Sequence, residues 1–259
     1  MTPQATRMMG MGAVGHALGA AITATGRATL GAARALRDSS AWTPHLLPQM
    51  RRLGADSVPI ALFLAVFTGI VLALLADYIF TGAVPMYFVG TLVTKAVMME
   101  LGPVLTGMAL AGRVGANVAA ELGTMRVTEQ VDALETLSYN PYSYLVVPRV
   151  LAATLMFPLI TALAVALGVV AGWLTAVNTL DLTSLEFVKG AQLFYRAKDV
   201  WYGLVKAASF GGAVALIGAL IGLRTRGGAQ GVGRAATRAV VFGCMAILVL
   251  DAFWAVVLL

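Results

Sequence analysis

The sequence predicts an all-α polytopic integral membrane protein with five transmembrane passes, a broken or re-entrant segment before the second pass, and an N-terminal interfacial amphipathic helix. Three observations predict it. The chain of 259 residues is 59% hydrophobic and 12% charged, where a soluble domain carries about a quarter of its residues as charges, and its mean hydropathy is +0.86. Apolar runs of about 20 residues recur along it, the length needed to cross roughly 30 Å of hydrocarbon. Arginine and lysine fill some connecting segments and nearly avoid others, the charge signature of a multi-pass protein.

Residues 1–52 read as a cytosolic extension. Within it, residues 15–37 place Leu18, Ile22, Thr25, Thr29, Ala33 and Leu36 on one helical face and His16, Arg27, Arg34 and Arg37 on the other. That is the pattern of a helix lying flat at the headgroups of an anionic leaflet. No compact apolar core precedes a cleavage site, so a removable signal peptide is not expected. From residue 53 to residue 259 the chain reads as a transmembrane domain, with clear passes at 58–80, 150–177, 201–223 and 239–259. The apolar region 85–122 would measure roughly 57 Å as one straight helix, too long for one crossing. Gly102-Pro103 interrupts it, which predicts a short re-entrant or kinked piece followed by a full crossing.

Five passes with a cytosolic N-terminus put Arg7, Arg27, Arg34, Arg37, Arg51, Arg52, Arg126, Arg149, Arg224, Arg226, Arg234 and Arg238 on the cytosolic side, and only Lys189, Arg196 and Lys198 on the other. The bias sets the orientation and leaves the C-terminus outside. It also accounts for the net charge of +6 without nucleic acid, since no basic stretch is interleaved with aromatics. The single cysteine, Cys244, excludes an intrachain disulfide. His16 and His45 lack metal-ligand spacing, no nucleophile, base and orienter recur together, and no phosphate-binding loop with its lysine is present, so no catalysis and no nucleotide site are expected in this chain. Gly231-Val-Gly233 begins a dinucleotide-type glycine pattern, but it follows a membrane pass rather than a strand and reads as a turn.

Polar residues inside so apolar a chain are the candidates for function. A short amphipathic helix is predicted over residues 128–137, running from Thr128 with Glu129, Asp132 and Glu135 on one arc and Val131 and Leu134 on the other. Acids would be repelled by an anionic leaflet, so a protein partner suits this helix better than a membrane surface. In the second pass Gly107, Ala111, Gly115, Ala119 and Gly123 recur every fourth residue, a face on which another helix can pack closely. Spacing leaves open whether that helix comes from this chain or a second protomer; the intrachain contact is the expectation. Arg113, Asn117 and Glu121, also four apart, predict a buried polar ladder, the alternative being an Arg113 that meets a lipid phosphate. Lys206 and Asp251 lie at similar depths, roughly 8 and 12 Å below the outer ends of their passes, and are expected to pair or share a polar cluster, the alternative being a Lys206 that snorkels to the outer headgroups.

Residues 100–152, ELGPVLTGMALAGRVGANVAAELGTMRVTEQVDALETLSYNPYSYLVVPRVLA, resemble the signature region of the MlaE family of ABC-transporter permeases, and residues 227–241, GGAQGVGRAATRAVV, are similar to its closing motif. The resemblance covers about residues 45–259. It implies a homodimeric permease in a bacterial inner membrane, driven by a cytosolic ABC ATPase dimer that binds the ATP and magnesium. The cargo would be phospholipid or a related lipid, passed between the membrane and a periplasmic MCE-domain protein, with a STAS-domain protein bound in some systems. Residues 128–137 would then be the coupling helix seated in the ATPase. Glu100 and Leu101 at the Gly102-Pro103 break, with Tyr87, Leu92 and Lys95 outward of them, are the expected lipid cavity, because discontinuous helices flank substrate sites, the alternative being that they only stabilise the kink. Two rival readings remain at this stage: a proton-coupled secondary transporter using the buried charges, and a scaffold that transports nothing.

Overall fold

A computed structural model describes residues 39–80, 84–180 and 182–258. The helix expected at 15–37 lies outside the described residues. Eight helices and no strand occur among those described: α1 Ser39–Leu53, α2 Val58–Ile79, α3 Phe88–Val127, α4 Gln130–Thr136, α5 Tyr142–Thr179, α6 Ser184–Leu193, α7 Ala197–Leu223 and α8 Gly228–Leu258. Five runs, Ser39–Ile79, α3, α5, α7 and α8, are long and apolar enough to cross a membrane. A helix suits such a span because it pairs most backbone groups within the segment, as hydrocarbon demands.

Helix α5 is the hub, with α1, α2 and α7 laid against it, and α3 packs against α7 and α8 on the other side. Such contacts are close because glycines meet backbone. A Cβ on Gly69 of α2 would fall 1.9 Å from the carbonyl oxygen of Gly168 on α5, so no larger residue fits without moving a helix. The core is correspondingly continuous, running from Leu110, Val114 and Val118 of α3 through Phe157 and Ile160 of α5 to Phe210 of α7 and Ile247 of α8. Leucine, valine and phenylalanine left outside it, among them Phe63, Leu159 and Val249, are exposed in the isolated chain, as residues facing lipid or another subunit are.

Helix α3 corrects one expectation. It is neither broken nor re-entrant: the backbone is helical from Phe88 to Val127 without interruption. Two π-turns, Val97–Leu101 and Ala111–Gly115, are inserted in it. The first lies directly before Pro103, whose ring would clash with the carbonyl four residues back in a regular helix. Widening the preceding turn relieves that clash and converts the expected break into a bulge.

Candidate functional site

Proline also lacks the N–H that would have reached the Met99 carbonyl. That carbonyl instead accepts from the Lys206 ammonium of α7, at 3.2 Å. The same ammonium lies 2.7 Å from Glu100 Oε2 and 2.5 Å from Asp251 Oδ1 of α8, and donates to the Tyr202 hydroxyl at 3.3 Å. Tyr202 in turn donates to Glu100 Oε1 at 3.2 Å. The Lys206 side chain is 0% exposed, so its charge persists only because two carboxylates and two oxygen dipoles replace water around it. Lys206 and Asp251, placed at similar depth by residue counting, are in contact. Glu100 was assigned to a different feature, because the Gly102-Pro103 sequence made its depth along α3 uncertain.

A second ionic site ties the helices together nearer the arginine-rich end. Glu121 of α3 receives Arg149 of α5 and Arg52 of α1, each at 3.0 Å. Arg149 is buried and also donates to the Leu145 carbonyl at 2.6 Å. This corrects the expected Arg113–Asn117–Glu121 ladder. Arg113 and Asn117 are exposed in the isolated chain, and Glu121 turns to arginines of other helices. Arg113 and Asn117 lie on the face of α3 turned away from its buried residues Ala111, Val114, Gly115, Val118 and Ala119. Arg149 had been read only as part of the charge bias. A lone arginine placed just inside a long apolar pass was the available signal for a buried pair.

Helix α4 lies between α3 and α5 and is shorter than expected, Gln130–Thr136. Thr128 and Glu129 precede it, and Glu129 takes a left-handed conformation with φ +60° that turns the chain out of α3. The far end closes with Ser138 at φ +63°, the Tyr139 N–H donating to Leu134 and the Ser138 N–H to Glu135. That is a Schellman termination, so the helix stops before Asn140-Pro141, and Asn140 instead caps α5 by accepting from the Tyr142 N–H at 3.0 Å. Val131 is buried and Leu134 packs against the core, whereas Glu129, Asp132 and Glu135 are exposed. Asp132 is held by Arg126 at the end of α3.

The small-residue face of α3 packs within the chain. Gly107 faces Phe210 of α7 and Ile247 of α8, Gly115 faces Val214 and the Ala239 carbonyl, and Gly123 faces Thr225. Ala111 and Ala119 are 0% exposed between them. The five residues expected around a lipid cavity are spread over α3 and the residue before it rather than gathered. Leu92 and Leu101 pack on a second core cluster, Tyr87 stacks on Phe88 at 4.6 Å, Lys95 pairs with Asp199 of α7 at 2.6 Å, and Glu100 is bound to Lys206. A cavity of about 300 Å³ does lie beside α3, but Thr94 and Met98 line it and none of the five does.

The family model for the permease MlaE matches residues 46–257. The chain belongs to the MlaE permease family. Relatives include a "Probable ABC transporter permease protein" of Rickettsia felis, 42% identical over 79% of this chain and 79% of its own length. A protein of the same description from Synechocystis is 41% identical over 81% and 80%. The chloroplast protein trigalactosyldiacylglycerol 1 of Arabidopsis thaliana is 32% identical over 84% of this chain and 62% of its own length. The MlaE permease described here is thus a multi-pass membrane subunit of an ABC transporter, a class whose ATPase is a separate partner. Its polar features include the Lys206 cluster, the Glu121 clamp, the Lys95–Asp199 pair and the acidic face of α4. Among the described residues no group of histidine, cysteine, aspartate and glutamate could hold a metal.

Proposed function

We propose that this permease moves phospholipid, or a related diacyl lipid, through a homodimer in a bacterial inner membrane, with its N-terminus cytosolic and its C-terminus periplasmic. A cytosolic ATPase dimer binds ATP and magnesium and drives it, and a periplasmic MCE-domain protein exchanges the lipid. The observation that carries the reading is α4: its apolar side is docked on the permease while its acids face outward. An outward acidic helix between two passes offers charge-assisted contacts to a basic groove. Closure of the ATPase, transmitted through α4 to α3 and α5, then shifts the permease between two arrangements of different lipid affinity. The relative named for trigalactosyldiacylglycerol supports a diacyl lipid as cargo.

The test is the double reversal Asp132→Lys with Glu135→Lys, made in the full transporter. Loss of ATPase copurification, or ATP hydrolysis without lipid transfer, is expected. Full recovery of the complex together with full transfer refutes the coupling role. Dissipating the proton gradient should leave transfer intact; arrest of transfer would instead favour the proton-coupled alternative, in which Lys95, Glu100, Arg113 or Asp251 serves as the relay. Identifying lipid in the purified complex by mass spectrometry tests the cargo.

A further inference from the structure

The cavity of about 300 Å³ is enclosed by three helices: Thr94 and Met98 come from α3, Thr161 and Val165 from α5, and Gly203 and Leu204 from α7. Ala162 and Ala166 complete it and are exposed on α5, so it opens sideways on the flank that also exposes Leu159 and Leu163. Its size is at the lower end of ligand sites, about 300 to 1,000 Å³. Engineered apolar cavities of about half that volume stay dry and take up hydrocarbon. An empty space of this kind forfeits dispersion contacts along its whole lining, and in a bilayer the filler present at highest concentration is an acyl chain.

Thr94 says more about the filler. Helical threonines elsewhere, Thr68, Thr154 and Thr175 among them, return their hydroxyls to the carbonyl four residues back. The Thr94 hydroxyl does not: it is buried in a residue 7% exposed and has no hydrogen-bond partner among the described residues. A buried donor left unmatched costs about 1 to 3 kcal/mol, and this one belongs to a residue that lines the cavity. One position from Thr94 and from Val200, both on the cavity wall, stands the Lys95–Asp199 pair, with the Lys95 side chain 32% exposed. An ammonium has three donors, so two remain for a phosphate. A second apolar groove of about 330 Å³, lined by Leu62, Leu163, Leu167 and Val170, shares Ala166 with the first.

We infer that this cavity is a lipid-chain slot: one acyl chain of a diacyl glycerolipid fills it, the chain's ester carbonyl accepts from the Thr94 hydroxyl, and the phosphate lies against Lys95. The second chain occupies the neighbouring groove across Ala166. The slot lies within one protomer and its occupancy needs neither ATP nor a partner, so it goes beyond the transport reading and does not depend on it.

The test uses the full chain in vesicles of phosphatidylethanolamine carrying a photoreactive diazirine on one acyl chain, with label positions mapped by mass spectrometry. Label should concentrate on residues 161–169 and 200–204. Ala162→Phe with Ala166→Phe, which fills the slot, should lower that labelling roughly tenfold, and Thr94→Val about fivefold. Labelling of Phe63 and Phe67, exposed on α2 and outside both cavities, should stay unchanged in both variants, which shows that they remain folded. Labelling of the slot no stronger than that of Phe63, or indifferent to filling, overturns the inference. Equal labelling by a photoreactive free fatty acid overturns the diacyl assignment.

Discussion

Lys206 answers three demands with one ammonium: it neutralises Glu100 and Asp251 and replaces the donor missing at Pro103. Removing it therefore does more than delete a contact. Lys206→Met leaves a carbonyl and the carboxylates of Glu100 and Asp251, whose side chains are 41% and 23% exposed, without their cation, and so destabilises by less than the loss of about 3 to 5 kcal/mol for a fully buried pair. We expect a drop in thermal midpoint in detergent, with most of it restored when Glu100→Gln and Asp251→Asn are added. A triple variant no more stable than Lys206→Met alone would show that the charges were never the cause. The Glu121 clamp makes the matching prediction at the arginine-rich end. Glu121→Gln leaves Arg149, 4% exposed, without its carboxylate, and should destabilise more than the removal of Arg52, whose side chain is 63% exposed and screened by solvent.

Helix α6, which is not one of the five spanning runs, has its start governed by a titrating group. Thr183 and Glu186 form a capping box, each side chain bonded to the other's backbone N–H, and the bond from Thr183 holds the Glu186 carboxyl below the usual carboxylate range. A lowered carboxylate pKa stabilises the fold above the ordinary carboxylate range, and that stabilisation fades as pH falls through the lowered value. Protection of the amides over residues 184–187, taken relative to their intrinsic exchange rates at each pH, should accordingly fall on acidification, and Thr183→Ala should abolish that pH dependence while lowering protection at neutral pH. The passes themselves were legible in the sequence because hydrophobic length alone specifies them. The continuity of α3 was not, since a proline usually ends or kinks a helix and the π-turn that accommodates Pro103 has no simple residue signature. Helix α1 was hidden for a similar reason: it carries Pro44 and Pro48, residues that argue against a helix interior. The outward acids and inward Val131 and Leu134 of α4 were readable from periodicity. Its exact ends depend on the left-handed Glu129 and Ser138, a conformation non-glycine residues rarely take.

At the scale of the molecule, charge separates along the membrane axis. Arg224, Arg226, Arg234 and Arg238 surround one pocket of about 440 Å³ where α7 passes to α8, through a turn with Gly227 at φ +91° and Gly228 at φ +64°. The positive-inside rule predicts a cytosolic position for this end. In a Cys244→Ser background, a cysteine at Arg226 should react with a membrane-impermeant maleimide only after the cells are opened, whereas one at Lys189 should react in intact spheroplasts. The reverse pattern would invert the topology. What the sequence could not convey at this scale was partnership between distant polar residues: Lys206 with Glu100, and Arg149 with Glu121, depend on how helices rotate against one another. The substitution of a lysine for an absent amide ties positions 103 and 206 into a single heritable unit. Where descent replaces the proline with a residue that restores the amide, selection on the lysine relaxes, so across diverging lineages the two sites should drift in concert.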